Sequence, residues 1–273
     1  MKIPDQVRKA VGFVAYENRT NGDFIPVGSF FFLGHDAKPG ETNSPKMYAV
    51  TARHVIDGLR AKGAREVMLR LNPKRHDASL ITHRVPLDDW FFHPTDNSID
   101  VAIKEMGIPV EADHLVVPLS LAATKQIFDR HDVELGDEVF ISGLFRHHYG
   151  YKRNIPIVRI GNLAALKDER VSTKSFGEIE AYLIEARSTG GLSGSPVFLN
   201  LGSVRQIEGE VKFAASKGPI VFLLGLIHGH FLVEPNVPGV ATEATNAGIA
   251  IVVPVESIIL VITEYERDPE DTD

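Results

Sequence analysis

Gly190-Gly191-Leu192-Ser193-Gly194-Ser195-Pro196 is a serine flanked closely by glycines, with a proline shortly after. A serine used as a nucleophile needs such a bend, because its hydroxyl must project from a tight turn with free backbone N–H groups beside it. Gly191 can adopt a conformation closed to larger residues and lets a substrate carbonyl come close. The N–H groups of Gly191 and Ser193 would then point at one spot, where a developing oxyanion is stabilised. A Gly/Ser-rich turn can equally be a plain hairpin loop. Ser188 and Ser195 serve as controls: neither has a glycine both two positions before and one position after it, as Ser193 does.

Two further residues supply the missing chemistry. His54 follows Ala49-Val50-Thr51-Ala52-Arg53, so a strand is expected to hold the imidazole at its end, next to a loop that substrate can reach. Histidine is the usual general base near neutral pH because its pKa lies near the working pH; the competing reading is a histidine bonded locally in the core. Asp100 opens the apolar run Asp100-Val101-Ala102-Ile103. A buried acid is costly without a partner, and an imidazole N–H is one such partner, fixing the tautomer and supporting the imidazolium. Asp96, among Thr95, Asn97 and Ser98, reads as solvated turn chemistry instead.

Chain order separates fold families. The order is His54, Asp100, Ser193, whereas an α/β-hydrolase runs Ser, Asp, His and needs Gly-x-Ser-x-Gly. Here the last position of that pattern is Ser195, and no parallel βαβ rhythm is present. Short strand-like runs dominate: 10–16, 25–33, 47–51, 66–71, 80–85, 89–92 and 99–103 come first, with a helical turn at 56–61. Gly28 is expected to be a bulge or a close-approach point. Residues 107–136 lack clear alternation and read as a connection. Runs at 138–144, 155–165, 178–186, 195–199, 219–227 and 247–253 follow, then helical spacing from Pro254 to Tyr265 and an acidic tail. The fold class is therefore all-β, in two groups of strands with one terminal helix. The expected divisions are 1–110, a connection over 111–135, a second unit over 136–253, and a helix and tail over 254–273.

In composition the 273 residues are ordinary for a globular protein, and 29 Lys and Arg against 36 Asp and Glu leave a net charge of −7. That balance argues against a general nucleic-acid binder. The absence of cysteine removes disulfides, cysteine nucleophiles and thiolate metal sites. Met1 to Ala10 has no apolar core of signal-peptide length, and no apolar run approaches a membrane span. A soluble, cytoplasmic protein is expected, with no nucleic-acid or membrane partner and no cofactor. His147-His148 and His228-x-His230 raise the question of metal, but no third ligand with an interpretable spacing accompanies them, and no metal is expected. Lys74-Arg75-His76 reads as a solvated turn.

At the motif level, Thr51-Ala52-Arg53-His54-Val55, Asp100-Val101-Ala102 and Gly191-Leu192-Ser193-Gly194-Ser195-Pro196 resemble the histidine, aspartate and serine motifs of the trypsin-like, chymotrypsin-fold serine peptidases. The closest likeness is to the bacterial trypsin-like peptidase domains and the high-temperature-requirement group, and it covers residues 10–262. The resemblance implies two six-stranded antiparallel β-barrels with the active site in the cleft between them. It makes His54 the general base and acid, Asp100 its orienting partner and Ser193 the acyl-forming nucleophile, with the N–H groups of Gly191 and Ser193 as the oxyanion hole. Leu192 departs from the digestive members, which carry an aspartate there to pair with a newly cut N-terminus; activation by that route is not expected. Arg187 and His228 are candidates for the pocket that takes the residue before the cut. The alternative is that Arg187 pairs with Glu185 or solvent and that His228 supports the site from outside. Glutamyl endopeptidases have a related Gly-Ile-His segment, but here the histidine falls one residue later, which in a strand reverses the face. The implied function is a serine endopeptidase acting on a polypeptide substrate. The rival is a chymotrypsin-fold binding module that is catalytically silent or switched on by a partner.

Overall fold

The structure is a computed structural model of the chain, and it describes residues 3, 5–18, 22–35, 46–188, 190–207, 210–213, 220–233 and 245–267. The acidic tail falls largely outside the described residues.

The first half contains β1 (Val11–Glu17), β2 (Phe24–Gly34), β3 (Met47–Thr51), α1 (Arg53–Ala61), β4 (Glu66–Leu71), β5 (Ile81–Pro86), β6 (Ala102–Glu105) and β7 (Val116–Pro118). Six of these strands form the path β5-β4-β1-β2-β3-β6, and the short β7 pairs in parallel with β2. The result is a curled sheet, a half-barrel in which β5 and β6 are the two ends of the path. Phe30, Phe31, Phe32 and Leu33 are all fully buried, which explains why β2 reads as one apolar run: one face lines the half-barrel and the other is covered. The expected strand at 89–92 is instead a 3-10 turn over Leu87–Asp89, followed by an isolated bridge between Phe91 and Ile103.

The second half contains α2 (Lys125–His131), β8 (Glu138–Gly143), β9 (Ile157–Ala165), β10 (Val171–Thr173), β11 (Gly177–Ile179), β12 (Tyr182–Glu185), β13 (Pro196–Asn200), β14 (Val204–Ile207), β15 (Glu210–Phe213), β16 (Val221–Val233), β17 (Thr245–Pro254) and α3 (Val255–Glu266). Strands β12-β17-β16-β13-β8-β9 close into a six-stranded antiparallel barrel, while β10–β11 and β14–β15 stand apart as hairpins. The strand expected over 178–186 is divided, because β11 pairs with β10 and only β12 joins the barrel.

One apolar cluster fills the second barrel, including Val139, Ile141, Leu163, Ile184, Val197 and Leu224. A larger one fills the half-barrel and runs into the contact between the halves, where the rings of Phe140 and Phe198 stack 5.1 Å apart. Helix α3 belongs to this larger cluster through Val255, Ile258, Val261 and Ile262. At its end Glu266 accepts a hydrogen bond from Tyr48 Oη at 2.5 Å, returning the C-terminal helix to the first half. Among the described residues no helix is long and apolar enough to cross a membrane.

Candidate active site

His54 lies at the second position of α1, earlier than the helical turn expected from 56 onward. The first N–H groups of a helix have no partner inside it. Here the orphan N–H of His54 donates to Asp100 Oδ1 at 2.8 Å. No side chain from within the segment caps α1; Asp100, arriving from the chain before β6, does so instead. Its charge also faces the positive end of the helix.

The ring of His54 makes the second contact, with Nδ1 2.7 Å from Asp100 Oδ2. Asp100 is fully buried. Burial works against its charge, but the neighbouring His54, the hydrogen bonds from His228 and His54, and the charge of His228 overcome this and hold it below the ordinary carboxylate value. An ionised carboxylate only accepts, so Nδ1 of His54 carries the proton and Nε2 is left as a lone pair. Among the described residues Nε2 has no hydrogen-bond partner. Burial alone would lower the pKa of His54; the charge of Asp100 and the hydrogen bond to it, with a smaller contribution from Asp57, outweigh burial and raise it above 6.5.

Ser193 sits in the turn between β12 and β13, with Gly191 at φ +104° and Gly194 at φ +78°. Both values lie where glycine is favoured. Gly194 has no room for a side chain either, since a Cβ there would collide with the Ser29 carbonyl and Thr51 Oγ1. The N–H groups of Gly191 and Ser193 have no hydrogen-bond partner among the described residues. Ser29, on β2, ties this turn to the first half. Its N–H donates to the Ser193 carbonyl at 2.9 Å, its Oγ donates to the Gly191 carbonyl at 3.2 Å, and Oγ accepts the N–H of Leu144 at 2.8 Å. Beside it, a Cβ on Gly28 would lie 3.1 Å from the Ser193 carbonyl oxygen, and the β1–β2 register slips just here. The close approach expected at Gly28 is present.

The Ser193 hydroxyl is not hydrogen-bonded to His54. It donates to the carbonyl of His228 at 3.3 Å. His228, considered for the substrate pocket, turns its ring onto Asp100, with Nδ1 2.5 Å from Oδ2, and also borders a cleft of about 270 Å³ between β10–β11 and residues 228–232 of β16. Arg187 is exposed and has no ion pair with Glu185 among the described residues. Leu192 is buried in the second barrel's core. His147 and His148 are exposed, and Arg75 pairs with Asp77 in an exposed turn.

His54, Asp100 and His228 also form a group of potential metal ligands, with the three ligating atoms within 4.8 Å of one another. Ligands on one tetrahedral zinc ion sit about 3.3 Å apart, given bonds of 2.0–2.1 Å. Separations of 2.7 and 2.5 Å are those of N–H···O bonds. The group is a hydrogen-bonded cluster. His228 joins it across 128 residues, and the local sequence carries no sign of that meeting beyond the histidine itself.

Among solved structures, the chain is similar to the MamO protease domain from Magnetospirillum magneticum in its apo form, at 17% identity over 97% of this chain and 99% of that one, with a TM-score of 0.52. Deg5 (18% identity, 93% and 88% covered, TM-score 0.48) and Rv3671c from M. tuberculosis H37Rv in an inactive mutant form (15%, 96% and 90%, 0.46) are also matched. No family model and no curated protein matches the sequence. At these identities the likeness concerns the fold. The chain has the chymotrypsin-like fold of trypsin-like serine protease domains, the class its three motifs resemble.

Proposed function

We propose that this protein is a serine endopeptidase that hydrolyses peptide bonds through an acyl-enzyme on Ser193. The observation that carries the reading is the two-point hold of His54 on buried Asp100, through its amide at 2.8 Å and its ring at 2.7 Å. That hold leaves Nε2 as an oriented base.

In the reaction, Ser193 Oγ attacks the scissile carbonyl carbon while its proton passes to His54 Nε2. The carbonyl oxygen, now negative, takes the free N–H groups of Gly191 and Ser193. The tetrahedral species collapses, the C–N bond breaks, and the leaving amine takes the proton from Nε2. Water then repeats the sequence on the ester, and Nε2 serves as base again. An extended peptide has a natural seat. Among the described residues β13 pairs with β16 only as far as Leu226, which leaves the edge of residues 229–232, beside the cleft under β10–β11, for an extended chain to pair with.

The resting direction of the Ser193 hydroxyl favours a second reading, a site held off until substrate or a partner reorients it. One experiment separates the two: covalent labelling by a fluorophosphonate, read by intact mass, on the wild type and Ser193→Ala. Labelling that disappears in the variant supports an activated Ser193. A folded wild type that does not label supports the switched or silent module.

A further inference from the structure

The proposed reaction uses one imidazole, yet Asp100 holds two. Its Oδ2 accepts the Nδ1–H of His54 at 2.7 Å and that of His228 at 2.5 Å, while Oδ1 takes the His54 amide. The shorter bond belongs to the ring that transfers no proton. The His228 side chain is 11% exposed against 28% for His54, so His54 meets solvent and His228 lies behind it. The rings stand 5.3 Å apart at 71°, and Phe176 packs near both, 6.5 Å from His54 and 5.8 Å from His228.

A bulge places the residue. The pairing of β16 with β17 slips between Ile227 and Gly229, so His228 is an extra residue in its strand. Such a residue is re-aimed out of the regular alternation. Its ring turns toward Asp100, and its carbonyl accepts the Ser193 hydroxyl.

We infer that His228 is a positioning residue for this site: its ring fixes Asp100, and through it His54, while its carbonyl holds the Ser193 hydroxyl at rest. The kinetic part rests on the proposed peptidase reading; the hydrogen-bond part does not. With three donors, both oxygens of Asp100 are fixed, and the carboxylate cannot turn away from His54. The donation from His228 also spreads the carboxylate charge and weakens its pull on the His54 proton. The other titratable neighbours are Asp57, which acts on His54, and Lys174 and His230, which border the cleft with His228; burial lowers the His230 imidazole and so favours its neutral form.

The test compares His228→Leu, which removes the donor, with His228→Asn, which keeps an N–H near the position of Nδ1. In the Leu variant kcat is expected to fall on the order of tenfold to a hundredfold with KM within about twofold. The acid limb of kcat/KM should move to higher pH, because Asp100 then holds the His54 imidazolium more strongly. The Asn variant should recover most of kcat and the wild-type limb. Proton spectra give a readout that needs no turnover: two downfield imidazole N–H signals in the wild type, and one, displaced from its original position, in the folded Leu variant. Unchanged kcat and limb, or a His54 signal that stays in place, overturns the inference. If the Leu variant does not fold, His228→Gln replaces it; its amide sits one methylene too far, and Gln behaving like Asn overturns the inference. A wild type that fails to label at Ser193 removes the proposed function, and the proton signals still decide the role of His228.

Discussion

Asp100→Asn keeps the shape of the side chain and removes its charge. The amide nitrogen would face N–H donors that a carboxylate accepts, so His54 loses the tautomer its base role needs. We expect kcat to fall on the order of ten-thousandfold, with binding little changed, as measured by steady-state kinetics. The wild type should show kcat/KM rising with pH to a midpoint above 6.5, since neutral His54 is the active form and its pKa is raised. In Asp100→Asn burial acts without the opposing charge, and the residual limb should fall below that value. Stability follows the same shift in the other sense. A raised imidazole pKa stabilises the folded protein fully below 6.5, and this contribution is lost as pH rises through the folded value. The depressed carboxylate of Asp100 adds a contribution that is lost only as pH falls below its ordinary range.

Strand β2 decides whether the serine turn keeps its shape. Ser29→Ala would leave the Gly191 carbonyl and the Leu144 N–H without the buried hydroxyl that serves both. Leaving buried polar groups unpaired costs about 1–3 kcal/mol. The expected result is that loss in urea unfolding, together with slower fluorophosphonate labelling, because the oxyanion N–H groups lose their brace. Gly194→Ala should cost more, since the φ of +78° is strained for alanine and the methyl has no room. The elements that sequence made plain were those with long apolar runs or clear alternation; β4 falls over Glu66–Leu71, where the pattern places it. The three-residue strands β7, β10 and β11 are too short for any period to register.

Between the halves, Arg70 of β4 reaches across to the segment 149–154. Its guanidinium bonds Asn154 Oδ1 and the carbonyls of Tyr149 and Gly150, and it lies 4.6 Å from the ring centre of Phe24. Asn154 returns a bond to the Arg70 carbonyl at 2.7 Å, and Asn72 pairs with the Asn154 backbone. Burial lowers the guanidinium to about 10, so it remains charged at neutral pH. Arg70→Met would keep much of the packing and strand these acceptors, and we expect a loss of roughly 2–4 kcal/mol in urea unfolding. The β-rich class, the order His54, Asp100, Ser193, and the glycines at 191 and 194 that the turn requires are all legible along the chain. These are properties of residue type and local pattern, which act over a few positions. Long-range folding is what brings Asp100 onto the first turn of α1, His228 onto the same carboxylate, and the Ser193 hydroxyl onto a carbonyl. Those contacts join residues 46, 128 and 35 positions apart. They depend on strand register, and a single extra residue in β16 is enough to take the His228 ring out of the regular alternation and onto Asp100.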